Sequence, residues 1–77
     1  MYYIYKDGRL IGSSSDIEYV IEFTKLMVDR TIDTEKDSRK LKQLYQDKLT
    51  VNSPKVGINQ LQHILARLEY SLEVDLK

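Results

Sequence analysis

Seventy-seven residues without a cysteine, carrying twelve bases and twelve acids, describe one small domain that must hold together by packing alone. A chain of this length buries roughly 60% of its unfolded surface, and it has no disulfide, zinc-thiolate site or thiol nucleophile to add. The formal net charge of zero excludes the overall basic field of most nucleic-acid modules, and 42% hydrophobic with 31% charged residues excludes a mainly disordered chain.

The lack of cysteine suits a reducing compartment, so the cytoplasm is the expected location. Residues 1–15 carry no basic stretch followed by an apolar run, and no segment nears the roughly 18 apolar residues of a membrane span, so neither export nor membrane insertion is expected. Abundant Lys, Ile, Leu and Tyr beside a single Ala and a single Pro point to an AT-rich coding sequence, of a bacterium or a phage.

Residues 2–12 read as a hairpin. Tyr2-Tyr3-Ile4-Tyr5-Lys6 and Arg9-Leu10-Ile11-Gly12 are β-favouring runs, and the Asp7-Gly8 pair between them suits a tight turn with positive φ at both central positions. The simplest register sets Ile4 against Ile11, Tyr5 against Leu10 and Lys6 against Arg9, the last a like-charge pair of small cost.

Ser15-Asp16-Ile17-Glu18 matches a capping box, and a first helix is predicted over 16–31. Ile17, Val20, Ile21, Thr24 and Val28 form its apolar stripe, Tyr19, Phe23, Leu26 and Met27 widen it, and Glu18, Glu22, Lys25 and Asp29 leave only a narrow polar strip. This helix is expected to be the central, most buried element.

The pattern loses phase near residues 30–34, where Asp33 or Thr34 caps a second predicted helix over 34–49, apolar on one face through Leu41, Leu44, Tyr45 and Leu49. Pro54 after Ser53 suits the first turn of a third helix over 54–73, or one starting near Asn59 if Gly57 keeps that turn open. Its seam is Ile58, Leu61, Leu65, Leu68 and Leu72. Residues 74–77 are expected to fray. The predicted fold class is α+β: a two-stranded antiparallel β-hairpin followed by three α-helices, a single domain over 1–77.

The inventory for catalysis is thin. One histidine, His63, and no cysteine preclude a Cys-His pair or a multi-histidine zinc site within one chain. The serines sit in cap-like contexts, Glu18 and Glu22 read as a solvated strip, and no glycine-rich cradle precedes a helix. No enzyme activity, metal or cofactor is expected.

What remains is surface. Tyr3, Tyr5 and Leu10 share one face of the hairpin and Ile4 and Ile11 the other, more apolar area than one small domain covers. On the third helix His63, Arg67, Tyr70 and Val74 align opposite the leucine seam, and Tyr and Arg are favoured interface anchors. The expected role is therefore binding of another protein, as an inhibitor or adaptor of a host protein encoded by a phage or mobile element, with Tyr3, Tyr5, Leu10, His63, Arg67 and Tyr70 as candidate contacts and a homodimer as one arrangement. The alternatives are a nucleic-acid-binding accessory protein using Lys36, Arg39, Lys40 and Lys42, and a structural subunit of a homo-oligomer.

Overall fold

A computed structural model of the chain describes residues 1–75. Asp7 and Gly8 take the left-handed backbone, φ 52° and 78°, that a primed two-residue turn requires. They fold Tyr2–Lys6 (β1) back antiparallel onto Arg9–Ser14 (β2). Tyr5 meets Leu10 and Lys6 meets Arg9, as the simplest register predicts, but Ile4 stands opposite Gly12 and not Ile11. A bulge leaves Ile11 as the extra residue, and the hairpin runs on to Ser14.

A ring packed on Gly12 goes with that shift. Tyr19 of the first helix lies against Gly12, where any Cβ would collide with the tyrosine hydroxyl. Tyr19 is 40% exposed and its ring has room to swing outward, so Gly12→Ala is expected to cost less than about 1 kcal/mol. Urea denaturation, with the Tyr19 ring shifts followed by NMR, checks this. A loss much above that value would mean that the Tyr19 contact holds the bulge in place.

The second β-partner of β1 comes from the other end of the chain. Tyr70–Val74 (β3) pairs antiparallel with β1, pairing Ile4 with Leu72 and Lys6 with Tyr70, and the sheet order is β2-β1-β3. The fold is α+β, but its order is ββαααβ, which corrects the prediction of a hairpin followed only by helices. Val74, expected to fray, is paired with Tyr2; residues 76 and 77, expected to fray with it, lie outside the described residues.

The helices are Ile17–Thr34 (α1), Ser38–Val51 (α2) and Ile58–Arg67 (α3). The cap of α1 is Asp16 and not Ser15: its carboxylate accepts from the Glu18 amide at 3.0 Å, while Ser14 Oγ accepts from the Asp16 amide. Ile32 packs on the core, so α1 keeps its phase to Thr34, three residues past the predicted end. Asp37, not Asp33 or Thr34, then caps α2 through the Arg39 amide at 2.9 Å. Helix α3 starts at Ile58 after an N-cap at Gly57, near the later of the two predicted starts, and the Gly57 amide donates to Gln60 Oε1 at 2.8 Å.

Helix α1 packs on β1 and β2, α3 packs on β3, and α2 packs on α1 and α3. Between them lies a core of Ile4, Val20, Val28, Val51, Leu61, Ile64, Leu65 and Leu72. Helix α1 is central in its contacts and fully buries Val20, Thr24 and Val28, but Tyr19 and Leu26 are exposed, and α3 buries Leu61, Ile64 and Leu65 to a like depth. No helix among the described residues is long and apolar enough to cross a membrane.

Candidate functional site

Strand β1 alternates, so Tyr2, Ile4 and Lys6 face the helices while Tyr3 and Tyr5 face away from them. Tyr3 stands between Ser13 and Glu73, and Tyr5 between Leu10 and Ser71. Neither tyrosine joins the core, and Leu10 and Ile11 are about half exposed. The first three predicted contact residues, Tyr3, Tyr5 and Leu10, therefore share one outward face of the sheet. Ile4, with no exposure at all, lies under the helices.

The two edges of the sheet differ. Met1 and Asp75 exchange both backbone hydrogen bonds, each 2.8 Å long. Alternation along an antiparallel ladder then turns the amides and carbonyls of Tyr70, Leu72 and Val74 away from β1, towards the outer edge of β3. Gln62 of α3 donates to the Leu72 carbonyl at 3.1 Å and so blunts this edge at its centre. On the opposite edge Arg9, Leu10, Ile11 and Ser13 of β2 are all exposed.

The second predicted group is dispersed. Only His63 and Arg67 lie on α3, both exposed, because Leu68 and Glu69 turn the chain out of the helix, with Glu69 in the left-handed region at φ 69°. Tyr70 is not on a helix at all, and its side chain is engaged internally. Its ring meets Phe23 edge-on at 5.3 Å, its hydroxyl contacts Met27 Sδ at 3.2 Å, and Lys6 Nζ stands 4.4 Å from its centroid. That last contact gives the Lys6 ammonium a partner on β3, across the strand from Arg9.

Arg67 also has an internal partner. Its Nε and Nη2 grip the carboxylate of Asp47 at 3.1 and 2.5 Å, and Gln43 Nε2 adds a third donor at 3.1 Å. The Asp47 side chain is 3% exposed and that of Arg67 44%, so the pair is buried at one end and wet at the other. Sequence reading missed Asp47 because it reads as one more charge on a mixed helix. The sole available signal is its spacing of three and four residues from Leu44 and Val51, which sets it on the apolar face.

This pair lines a cleft of about 410 Å³ at the junction of α1, α2 and the α3–β3 turn, with Glu35, Lys40 and Glu69 at its sides. The acid in it is already neutralised, and its flanking charges are of both signs. Among the described residues no group of three or more His, Cys, Asp or Glu side chains converges.

The third predicted group is divided by the helical turn. Lys36 is exposed in the connection before α2, Lys40 borders the cleft, and Arg39 and Lys42 stand beside Gln43 and Gln46 on another side of α2. Comparison of the chain with protein-family models, curated proteins and solved structures finds no match.

Proposed function

We propose that this protein is a non-enzymatic binding module that takes an extended segment of another polypeptide, as an adaptor or inhibitor, in the cytoplasm. The observation that carries this reading is the asymmetry of the sheet. One face is covered by α1 and α3, the other displays Tyr3, Tyr5 and Leu10, and of the two edges the one beside Leu10 is open while the other is blunted by Gln62. An incoming strand on β2 gains main-chain hydrogen bonds from the edge and apolar contact from the tyrosine face. Arg67 and Tyr70 take no part in it, since both serve the fold.

A photo-reactive residue at Ser13, exposed on β2, reports on this surface. In native extract it is expected to form a discrete adduct that Leu10→Lys removes, because a lysine on an edge strand opposes strand addition. Leu10 is 53% exposed, so the melting temperature is expected to stay within a few degrees of wild type. Equal capture by the Leu10→Lys variant would refute the proposal.

A second reading, nucleic-acid binding, has one observation in its favour. The exposed charged residues of α2 are Arg39, Lys40, Lys42 and Lys48, with no acid among them. The exposed charges of α1 are Glu18, Glu22, Asp29 and Asp33 against a single base, Arg30, and this acidic excess repels phosphates within about one Debye length of that helix, roughly 8 Å at physiological salt. The paired strips suit a partner that is itself divided into acid and base.

A further inference from the structure

Helices α1 and α2 pack side by side as a hairpin, tied on their outer side by Lys48 Nζ to Asp29 at 3.3 Å. Around this tie the surface is unlike an ordinary solvated face. Leu26 on α1 is 48% exposed, and Tyr45 and Leu49 on α2 are 54% and 72% exposed. Leu26 precedes Asp29 by three residues and Tyr45 precedes Lys48 by three, so apolar side chains flank the ion pair on both helices. The exposed charges are biased as well: α1 carries Glu18, Glu22, Asp29 and Asp33 against Arg30 and a Lys25 that pairs with Glu22 at 3.5 Å, and α2 carries Arg39, Lys40, Lys42 and Lys48 with no exposed acid.

We propose that a second copy of this chain docks on the outer face of the α1–α2 hairpin, forming a symmetric dimer with a four-helix interface. A two-fold axis parallel to the helices sets α1 of one copy antiparallel to α2 of the other, acids against bases, and brings Leu26 beside the other copy's Leu49. A two-fold axis across the helices would set α1 on α1 and α2 on α2, with like charges opposed; charge therefore selects the first arrangement.

Area also favours this face. Two helices of some fourteen residues, at 1.5 Å per residue and about 9 Å apart, present a footprint of roughly 400 Å². Three strands of five residues offer only about 240 Å², from a 3.3 Å rise and 4.8 Å spacing. Stable interfaces bury about 800 Å² per partner, so this dimer belongs to the weak, transient class. It leaves the outer sheet face free and stands or falls separately from the binding proposed there.

The test is sedimentation of the full chain over a concentration series in low salt. The expected mass rises from 9.1 kDa towards twice that value and falls back on adding salt, since the strips are exposed. Leu49→Ser is expected to remain monomeric with an unchanged melting curve, because that side chain lies outside the core. A charge exchange gives the sharper result. Glu22→Lys with Asp33→Lys makes both strips basic, and Arg39→Glu, Lys40→Glu and Lys42→Glu together make both acidic; each variant alone is expected to be monomeric, and a one-to-one mixture to dimerise. A wild-type chain that stays monomeric at about millimolar concentration overturns the proposal. So does a dimer indifferent to Leu49→Ser, or a mixture that stays monomeric. A monomer whose α2 bases shift a 20-mer oligonucleotide in a gel at moderate salt would assign the basic strip to nucleic acid instead.

Discussion

Arg67→Ala is expected to lower the unfolding free energy by about 2–3 kcal/mol, although Arg67 is nearly half exposed. The cost arises at Asp47. Its carboxylate is 3% exposed and loses two of its three donors, keeping only Gln43. Breaking a buried pair from one side costs about 3–5 kcal/mol, and water entering through the open guanidinium side brings the figure down. For a domain of this size that is a fall in melting temperature of roughly 10–20 °C, readable by circular dichroism.

The double variant Arg67→Leu with Asp47→Leu is expected to regain most of the loss, because it removes the buried charge together with its partner. The measurement thus separates a structural ion pair from an interface anchor. If Arg67→Ala melted with the wild type, the pair would be structurally idle and Arg67 would return to the list of candidate contacts.

Leu72→Ala is expected to cost about 2–4 kcal/mol, whereas Leu49→Ala, at a side chain 72% exposed, is expected to cost almost nothing. Leu72 is 7% exposed and stands opposite Ile4, closing the core from β3. Hydrogen exchange checks the same point through the backbone: the alternation set by the Met1–Asp75 pair bonds the Ser71 and Glu73 amides to β1, so both are expected to be protected. Rapid exchange at both positions, with a mild Leu72→Ala, would show that the third strand is dispensable.

The strand at 70–74 marks the boundary of what sequence reading reaches. Tyr70, Leu72 and Val74 alternate with Ser71 and Glu73, a period of two, yet Leu65, Leu68 and Leu72 also satisfy a helical seam. Over five residues both patterns fit. The usual stop signal is absent too, because the left-handed position that ends α3 is occupied by Glu69, where glycine is the common choice. Once Tyr70 leaves the helix, the predicted row of His63, Arg67 and Tyr70 has no geometric basis.

The hairpin, by contrast, is legible locally. Asp7-Gly8 needs nothing beyond its own backbone preference to turn the chain, and Tyr3, Tyr5 and Leu10 share a face because strand side chains alternate. Helix starts fall within a few residues for a similar reason: Asp16, Asp37 and Gly57 act on amides close by in the chain.

Sequence alone thus determined the α+β class, the turn, the three helices and the tyrosine face, all of which follow from interactions between residues a few positions apart. Tertiary structure decided the rest: that β1 is the middle strand, that Arg67 serves Asp47 and Tyr70 serves Phe23 and Met27, and that Asp29 of α1 pairs with Lys48 of α2. Those contacts join residues from 19 to 72 positions apart. No local preference encodes them, because they form only where burying apolar area outweighs the entropy of closing the chain between them.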